Sequence, residues 1–395
     1  MTGAGDKTYD VVIVGGGIIG SAIAHFLARD DGFSGSVAVI EADPTYEFAT
    51  TPRSVASIRQ QFTTEVNVRI SQFGIDFFRA ANETFGLDAD IGLKEPGYLL
   101  LADTGGSEAH RARVDWQRSV DADIAWLEPA ELAERFPWLA ADEIAGASLG
   151  LSGEGWIDPH ALLHLFIGSA KAGGVDYISG EVVDLETSGM SIDTVVLADG
   201  RRLVAGQVVN AAGKFADRIA TMAGIDIPVE PRKRCVFAFD CREKDAIGLT
   251  PLVITANGVA FRREGPVFIT CVSPPEDRDP VTVDFEVEHW QFEDIIWPEI
   301  ARLVPAFEAI KVSNFWACHY AFNTFDQNAI LGPHPSVKNL LLANGFSGHG
   351  LQQAPAVGRG IAELIVHGGY RSLDLSDLGY DRITRNRPHI EGNVY

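Results

Sequence analysis

A buried strand running into three spaced glycines near residue 10, a strand ending the same way near residue 340, and a run of strands between residues 235 and 287 predict an α/β fold in two parts. One part is a discontinuous Rossmann-like domain. The other is an α+β domain whose sheet is mainly antiparallel. A chain of 395 residues suits two domains, since single cores stop growing at roughly 250–300 residues. The alternating patterns assign residues 1–85, 150–226 and 325–395 to the first domain, and 86–149 and 227–324 to the second.

The first observation is Asp10-Val-Val-Ile-Val-Gly15-Gly-Gly17-Ile-Ile-Gly20. Val11 to Val14 form a short continuous apolar run, as expected of a parallel strand covered on both faces. Ile19, Ala22, Ile23, Phe26 and Leu27 then recur at helical spacing, and Val37 to Ile40 form a second apolar strand ending at Glu41. In such a unit Gly15 permits a tight turn, Gly17 lets backbone approach a pyrophosphate, and Gly20 lets helix and strand pack closely. The helix N-terminus, with unpaired N–H groups and a positive dipole end, favours an anion. Glu41 sits where an acid accepts hydrogen bonds from an adenosine ribose. An acid there argues against a 2′-phosphate and leaves FAD or NAD.

The formal net charge of −22 argues against a nucleic-acid partner, which needs a basic surface. No apolar run reaches the length of a membrane span, and no secretory signal is recognisable, so a cytoplasmic protein is expected. Cys235, Cys241, Cys271 and Cys318 lack metal-ligand spacing and are expected as reduced thiols; neither they nor the histidines predict a metal site.

Along the chain, Thr50-Thr-Pro-Arg53-Ser54-Val-Ala-Ser57-Ile-Arg59-Gln-Gln-Phe62 is rich in hydroxyls, with two arginines, and reads equally as an anion-crossing loop or a solvated turn. Val66 to Phe85 fit a long helix, Gly97 to Leu101 a strand, and Glu108 to Val120 an exposed helix. Asp158 and Pro159 are placed as N-cap and first residue of a buried helix. Thr194–Leu197 and Arg202–Val204 form a hairpin through Asp199-Gly200, and Val208-Val-Asn210-Ala-Ala-Gly213 is a further strand-to-glycine turn. After Pro228 and Pro231, Cys235–Phe239, Leu252–Thr255, Val259–Arg262, Val267–Cys271 and Val281–Val287 read as strands. Trp290–Leu303 reads as a helix and Phe315–Phe322 as another strand.

The second glycine cluster is Leu340-Leu-Leu-Ala343-Asn-Gly345-Phe-Ser-Gly348-His349-Gly350-Leu-Gln352, a strand and turn with a helix after it. That helix N-terminus could face the pyrimidine end of an isoalloxazine and stabilise negative charge on the reduced ring.

In this order, Asp10 to Gly20 with Glu41, Gly155-Trp-Ile-Asp-Pro159, Val209-Asn-Ala-Ala-Gly213 and Gly345-Phe-Ser-Gly-His-Gly350 resemble the FAD-dependent D-amino acid oxidase and sarcosine oxidase (DAO) superfamily. Ser57-Ile-Arg-Gln-Gln-Phe62 and Asn323-Thr-Phe-Asp-Gln-Asn328 look most like its amine-oxidoreductase branch, related to a mitochondrial FAD-dependent oxidoreductase domain-containing protein implicated in complex I assembly. The resemblance implies oxidation of the C–N bond of a small amino acid or N-substituted amine by hydride transfer to flavin N5, followed by imine hydrolysis. Oxygen or an electron carrier would be the acceptor. The readings set against it are oxidation of a 2-hydroxy acid and a non-catalytic, flavin-bound assembly protein.

Carried over residue by residue, the resemblance puts cofactor contacts at Gly15, Gly17, Ile18, Gly20, Glu41, Arg53, Ser54, Arg59, Val183, Ala212 and Gly213. It adds Gly345, Phe346, Ser347, Gly348, His349, Gly350 and Leu351 in the later turn. Arg262 falls on the sheet that roofs the flavin and is favoured as a carboxylate anchor, a solvated arginine being the plain alternative. Tyr320, His349 and Gln352 complete the candidate catalytic set, and Gln352 stands where sarcosine oxidases have a lysine. Tyr320 and His319 should point to opposite faces of their strand. Cys318-His-Tyr320 is similar to the Cys-x-Tyr motif that carries flavin covalently in monomeric sarcosine oxidases, but stands one residue farther from Thr324-x-Asp326. The expectation is therefore non-covalent FAD, with Cys318 the position for a covalent link.

Overall fold

The computed structural model describes residues 6–394 apart from 141 and 143. Val11 to Val14 pair in parallel with Val37 to Ile40 on one side and with Gln207 to Asn210 on the other, so the first strand lies in the middle of its sheet. The apolar run is explained by that position, since helices cover one face and further core the other. The strand order is Ile330–Pro333, Leu340–Asn344, Arg202–Asn210, Lys7–Val14, Val37–Glu41 and Asp176–Ser179, and the hairpin strands Val182–Ser188 and Ser191–Leu197 attach at Arg202–Asn210. Three widely separated stretches of chain thus build one sheet.

The second sheet runs Ile310–Asn323, Val229–Cys241, Val267–Cys271, Ala260–Glu264, Leu252–Ile254, Tyr98–Ala102, Gly146–Gly150, Ile124–Leu127. Every pairing in it is antiparallel except Leu252–Ile254 beside Tyr98–Ala102. Phe237, Phe239, Phe261, Phe268 and Phe307 fill one face of it, with the helix Trp297–Leu303 over them. The fold is α/β with a Rossmann-like cofactor sheet and a mainly antiparallel second sheet.

Several elements differ from expectation. The long helix breaks at Ala80 into Glu65–Arg79 and Ala81–Phe85. Gly146–Gly150, without a strand-like pattern, is a strand because Leu99–Ala102 and Ile124–Leu127 pair with it on both sides. Val281–Val287 is not a strand; only Val281 bridges to Arg232. Val267–Cys271 pairs with Val229–Cys241 only from Val236 to Phe239, and the segment meets the stretch left open on that edge at the Val281 bridge and a Thr282 N to Pro231 O bond of 3.3 Å, too little to form a ladder. Trp290–Leu303 winds first as a π-turn, Gln291–Ile296, before the α-helix Trp297–Leu303. Asp158 caps its helix as expected, accepting from His160 N and Ala161 N. No helix among the described residues is long and apolar enough to cross a membrane.

Candidate active site

A cavity of about 530 Å³ runs from the first glycine turn to the second sheet. At one end lie Gly15, Gly17, Ile18 and Glu41. The turn there is sterically specified: a Cβ on Gly20 would meet Gly15 O at 1.9 Å, and one on Gly15, whose φ is +104°, would meet Ala211 O at 2.3 Å. Gly17 is different. A Cβ there would find only Thr51 Oγ1 at 4.0 Å, so the missing side chain leaves space in the cavity rather than relieving a clash. Ile18 begins a helix whose N-cap is Gly17, and its positive end faces this space. Glu41 accepts from Gly16 N and Asp43 N, each at 2.8 Å, and burial raises its pKa from the ordinary value.

Ser54 and Arg59 line the middle of the cavity with Ala212, Gly213 and Lys214. Lys214 is 9% exposed. Its Nζ has Phe48 O at 3.3 Å and stands 4.3 Å over the Phe285 ring, and burial followed by Arg53 lowers its pKa to about 8. At the far end the helix Gly350–His367 begins, and Phe346, Gly348, His349, Gly350, Leu351 and Gln352 all line the wall. Gln352 Oε1 accepts from Arg59 N at 2.7 Å, and Arg59 Nη2 meets His349 Nε2 at 2.9 Å. Burial first, then Arg59, holds the His349 imidazole well below its ordinary pKa, so the ring is neutral.

The roof comes from the second sheet: Tyr98, Arg234, Ile254, Ala260, Cys271, Cys318 and Tyr320. A Cβ on Gly348 would lie 2.5 Å from the Tyr320 ring, so the glycine turn and the roof close on each other there. His319, one residue along, turns away from the cavity and packs on Phe285 at 4.7 Å. Burial pushes the Cys318 thiol up to about 12 and the Tyr320 phenol higher, so both stay protonated at neutral pH.

Some expected residues stand outside this lining. Arg262 shares a face with Ala260 but lies two residues farther along the strand, about 6.6 Å, beyond the cavity edge. There it pairs with Glu264, donates from Nη2 to Val55 O at 2.9 Å and stacks 4.3 Å over Trp156. Its Nε has no hydrogen-bond partner among the described residues. Val183 is 45% exposed on the outer face of its strand, whereas Val182 lines the cavity, as the two-residue alternation requires. Arg53 instead clamps the loop to the second sheet, through Glu47 O at 2.7 Å and Ala317 O at 3.1 Å. Gly345 and Ser347 shape the later turn from behind, and Ser347 Oγ accepts from Asn323 N at 3.0 Å.

Arg234 was not among the sequence candidates. It is 5% exposed, its Nη1 donates to Lys233 O at 2.8 Å and Asp279 Oδ1 at 3.0 Å, and its guanidinium lies 5.0 Å over the Tyr320 ring. Its Nε has no hydrogen-bond partner among the described residues. The basic run Arg232-Lys233-Arg234 leading into the apolar Cys235–Phe239 was the available signal.

The family profile described as FAD dependent oxidoreductase (DAO) matches residues 10–364. The chain belongs to the DAO family of FAD-dependent oxidoreductases. FAD-dependent oxidoreductase domain-containing protein 1 of Xenopus laevis is 39% identical, over 98% of this chain and 84% of that protein. The glycine oxidase of Geobacillus kaustophilus is 28% identical, over 90% of this chain and 93% of that one. Among solved structures, L-proline dehydrogenase from P. horikoshii superposes with a TM-score of 0.87 at 28% identity, covering 97% of this chain and 100% of that one. DAO-family membership implies FAD, and the cavity suits it. Gly17 leaves room for a pyrophosphate at a helix N-terminus, Glu41 offers acceptor oxygens to a ribose, and a second helix N-terminus lies at the far end.

Proposed function

We propose that this DAO-family protein oxidises the C–N bond of a small amino acid or N-substituted amine, with the substrate's carboxylate taken by Arg234. The observation that carries the reading is the buried Arg234 guanidinium on the cavity wall, its Nε unpartnered, beside the Tyr320 phenol. A carboxylate meeting that free edge would be held by charge-assisted hydrogen bonds, while Asp279 fixes the opposite edge of the guanidinium. Tyr320, kept protonated by burial, is a hydrogen-bond donor for the same group. Apolar neighbours Leu252, Ile254, Ala260 and Val236 exclude water above the substrate and limit its side chain to a small apolar group. FAD, when bound, supplies the acceptor for the hydride leaving the substrate's α-carbon. Water then hydrolyses the resulting imine to a carbonyl compound and free amine.

The test is an anaerobic screen of amino acids, N-methyl amino acids and 2-hydroxy acids, monitored by flavin absorbance. Bleaching by an amine bearing a carboxylate, and not by the matching amine lacking it, is the expected result. Bleaching by hydroxy acids alone overturns the amine reading. Admitting air afterwards separates an oxidase from a dehydrogenase.

A further inference from the structure

Behind His349 the cavity wall is backed by a segment with no part in the chemistry just described. Glu391 is fully buried, and Asn393 is 3% exposed. Glu391 Oε1 accepts from Thr63 N at 2.8 Å, Thr63 Oγ1 at 2.7 Å and Asn393 N at 3.1 Å, and Oε2 from Thr64 Oγ1 and Asn67 Nδ2, each at 3.0 Å. Each neighbour is a donor, which suits a carboxylate and not an amide. Gly392 N adds a bond to Thr63 Oγ1 at 2.8 Å, and Asn393 Nδ2 one to Gln61 O at 2.9 Å. Fixed in this way, the Asn393 carbonyl accepts from Arg59 Nη2, the same nitrogen that meets His349 Nε2. A guanidinium can only donate, so His349 Nε2 accepts and the ring proton is on Nδ1.

We propose that Glu391–Asn393 is a positioning element of the active site: Glu391 locks the segment to Thr63, Thr64 and Asn67, and the Asn393 carbonyl holds Arg59 so that His349 lines the cavity as a neutral ring bare at Nε2. The segment puts no group of its own into the cavity and acts on His349 in two ways, through Arg59 and by the Asn393 carbonyl, which accepts from the ring directly. Without it the guanidinium loses an acceptor, and the imidazole loses the donor that selects its tautomer. Only the kinetic consequence rests on the proposed function.

The experiment uses flavin-loaded protein labelled at its histidine ring nitrogens, with the His349 signal assigned by its absence in His349→Gln. In the unaltered protein that signal should show Nδ1–H and a bare Nε2 between about pH 5 and pH 8. A proton on Nε2 across that range overturns the proposal without any variant. Glu391→Gln sets an amide NH2 against the donors, and deletion of 391–395 removes the segment. In each the tautomers should mix or the ring begin to titrate, the visible absorption of bound flavin should shift, and kcat should fall roughly ten- to a hundredfold with KM little changed. An unchanged His349 signal in a flavin-loaded Glu391→Gln overturns the proposal; if that variant holds no flavin, the tautomer of the unaltered protein decides. Should no amine reduce the flavin, the functional reading falls while the nitrogen signals still decide this one.

Discussion

Arg234 and Arg262 each keep Nε unpartnered, but Arg234 lies on the cavity wall, while Arg262 stands beyond it with its Nη atoms on Glu264 and the Val55 carbonyl. Replacing Arg234 with Met should therefore raise the KM of a carboxylate substrate roughly ten- to a hundredfold, the size of a lost charged hydrogen bond. Arg262→Met should lower the melting temperature and leave KM nearly unchanged; steady-state kinetics with thermal melts compares the two. Glu154 offers a second residue-scale measurement. It is fully buried, and although Gln60 N and Gln61 Nε2 donate to it at 2.7 and 2.9 Å, burial prevails and raises its pKa from 4.5 to about 7. Between those values the folded chain binds a proton that the unfolded chain releases, so this contribution is full below about 4.5 and is lost as pH rises through about 7. The loss amounts to roughly 3 kcal/mol, and Glu154→Gln should flatten the fall in melting temperature over that range. Glu154 was not open to reading from the sequence, and Arg234 showed there only as one member of a basic run. Arg234 became a site residue through Asp279 and Tyr320, and Glu154, between two glycines, depends on donors 94 positions away. The place of Glu41 at the end of the cavity was legible because it follows from local spacing.

At the scale of the element, the first strand–turn–helix separates two demands made by glycines two residues apart. Gly15→Ala would drive a Cβ into Ala211 O and strain a backbone at φ +104°, destabilising the fold by about 2 kcal/mol or more. Gly17→Ala meets no protein atom closer than 4.0 Å, so the flavin-free protein should melt within about 0.5 kcal/mol of the parent. Its affinity for FAD, read by flavin fluorescence quenching, should fall sharply because the methyl fills the space meant for the cofactor. Equal loss of stability in both variants would contradict this division. The glycine turns could be read in advance because turn, helix start and strand lie within one short window. Val183 and Val281–Val287 could not. One depends on which face of a strand meets the core, and the other on how far the segment runs beside the open edge of Val229–Cys241, and distant chain decides both.

For the whole molecule, the net charge of −22 sets a background of self-repulsion around a cavity that holds Lys214, Arg59 and Arg234. Raising ionic strength from about 0.01 M to about 0.15 M shortens the Debye length from about 30 Å to about 8 Å. The melting temperature should rise over that interval, and scanning calorimetry of the flavin-loaded protein would detect it; a fall would mean that surface ion pairs outweigh the repulsion. The two-sheet architecture was readable because each sheet announces itself by strand chemistry, whereas strand order was not, since it joins residues far apart in sequence. That order also sets a clock. Lys7–Val14 is flanked by Arg202–Asn210, which is itself flanked by Leu340–Asn344. On a ribosome adding roughly 5–20 residues per second, the first strand emerges and then waits roughly 10–40 s for its neighbour to be made. Throughout that wait an apolar edge is open to any other strand. Yield in a cell should then depend on whatever shelters the nascent chain, and the glycine turn that is made first can be loaded with flavin only near the end of synthesis.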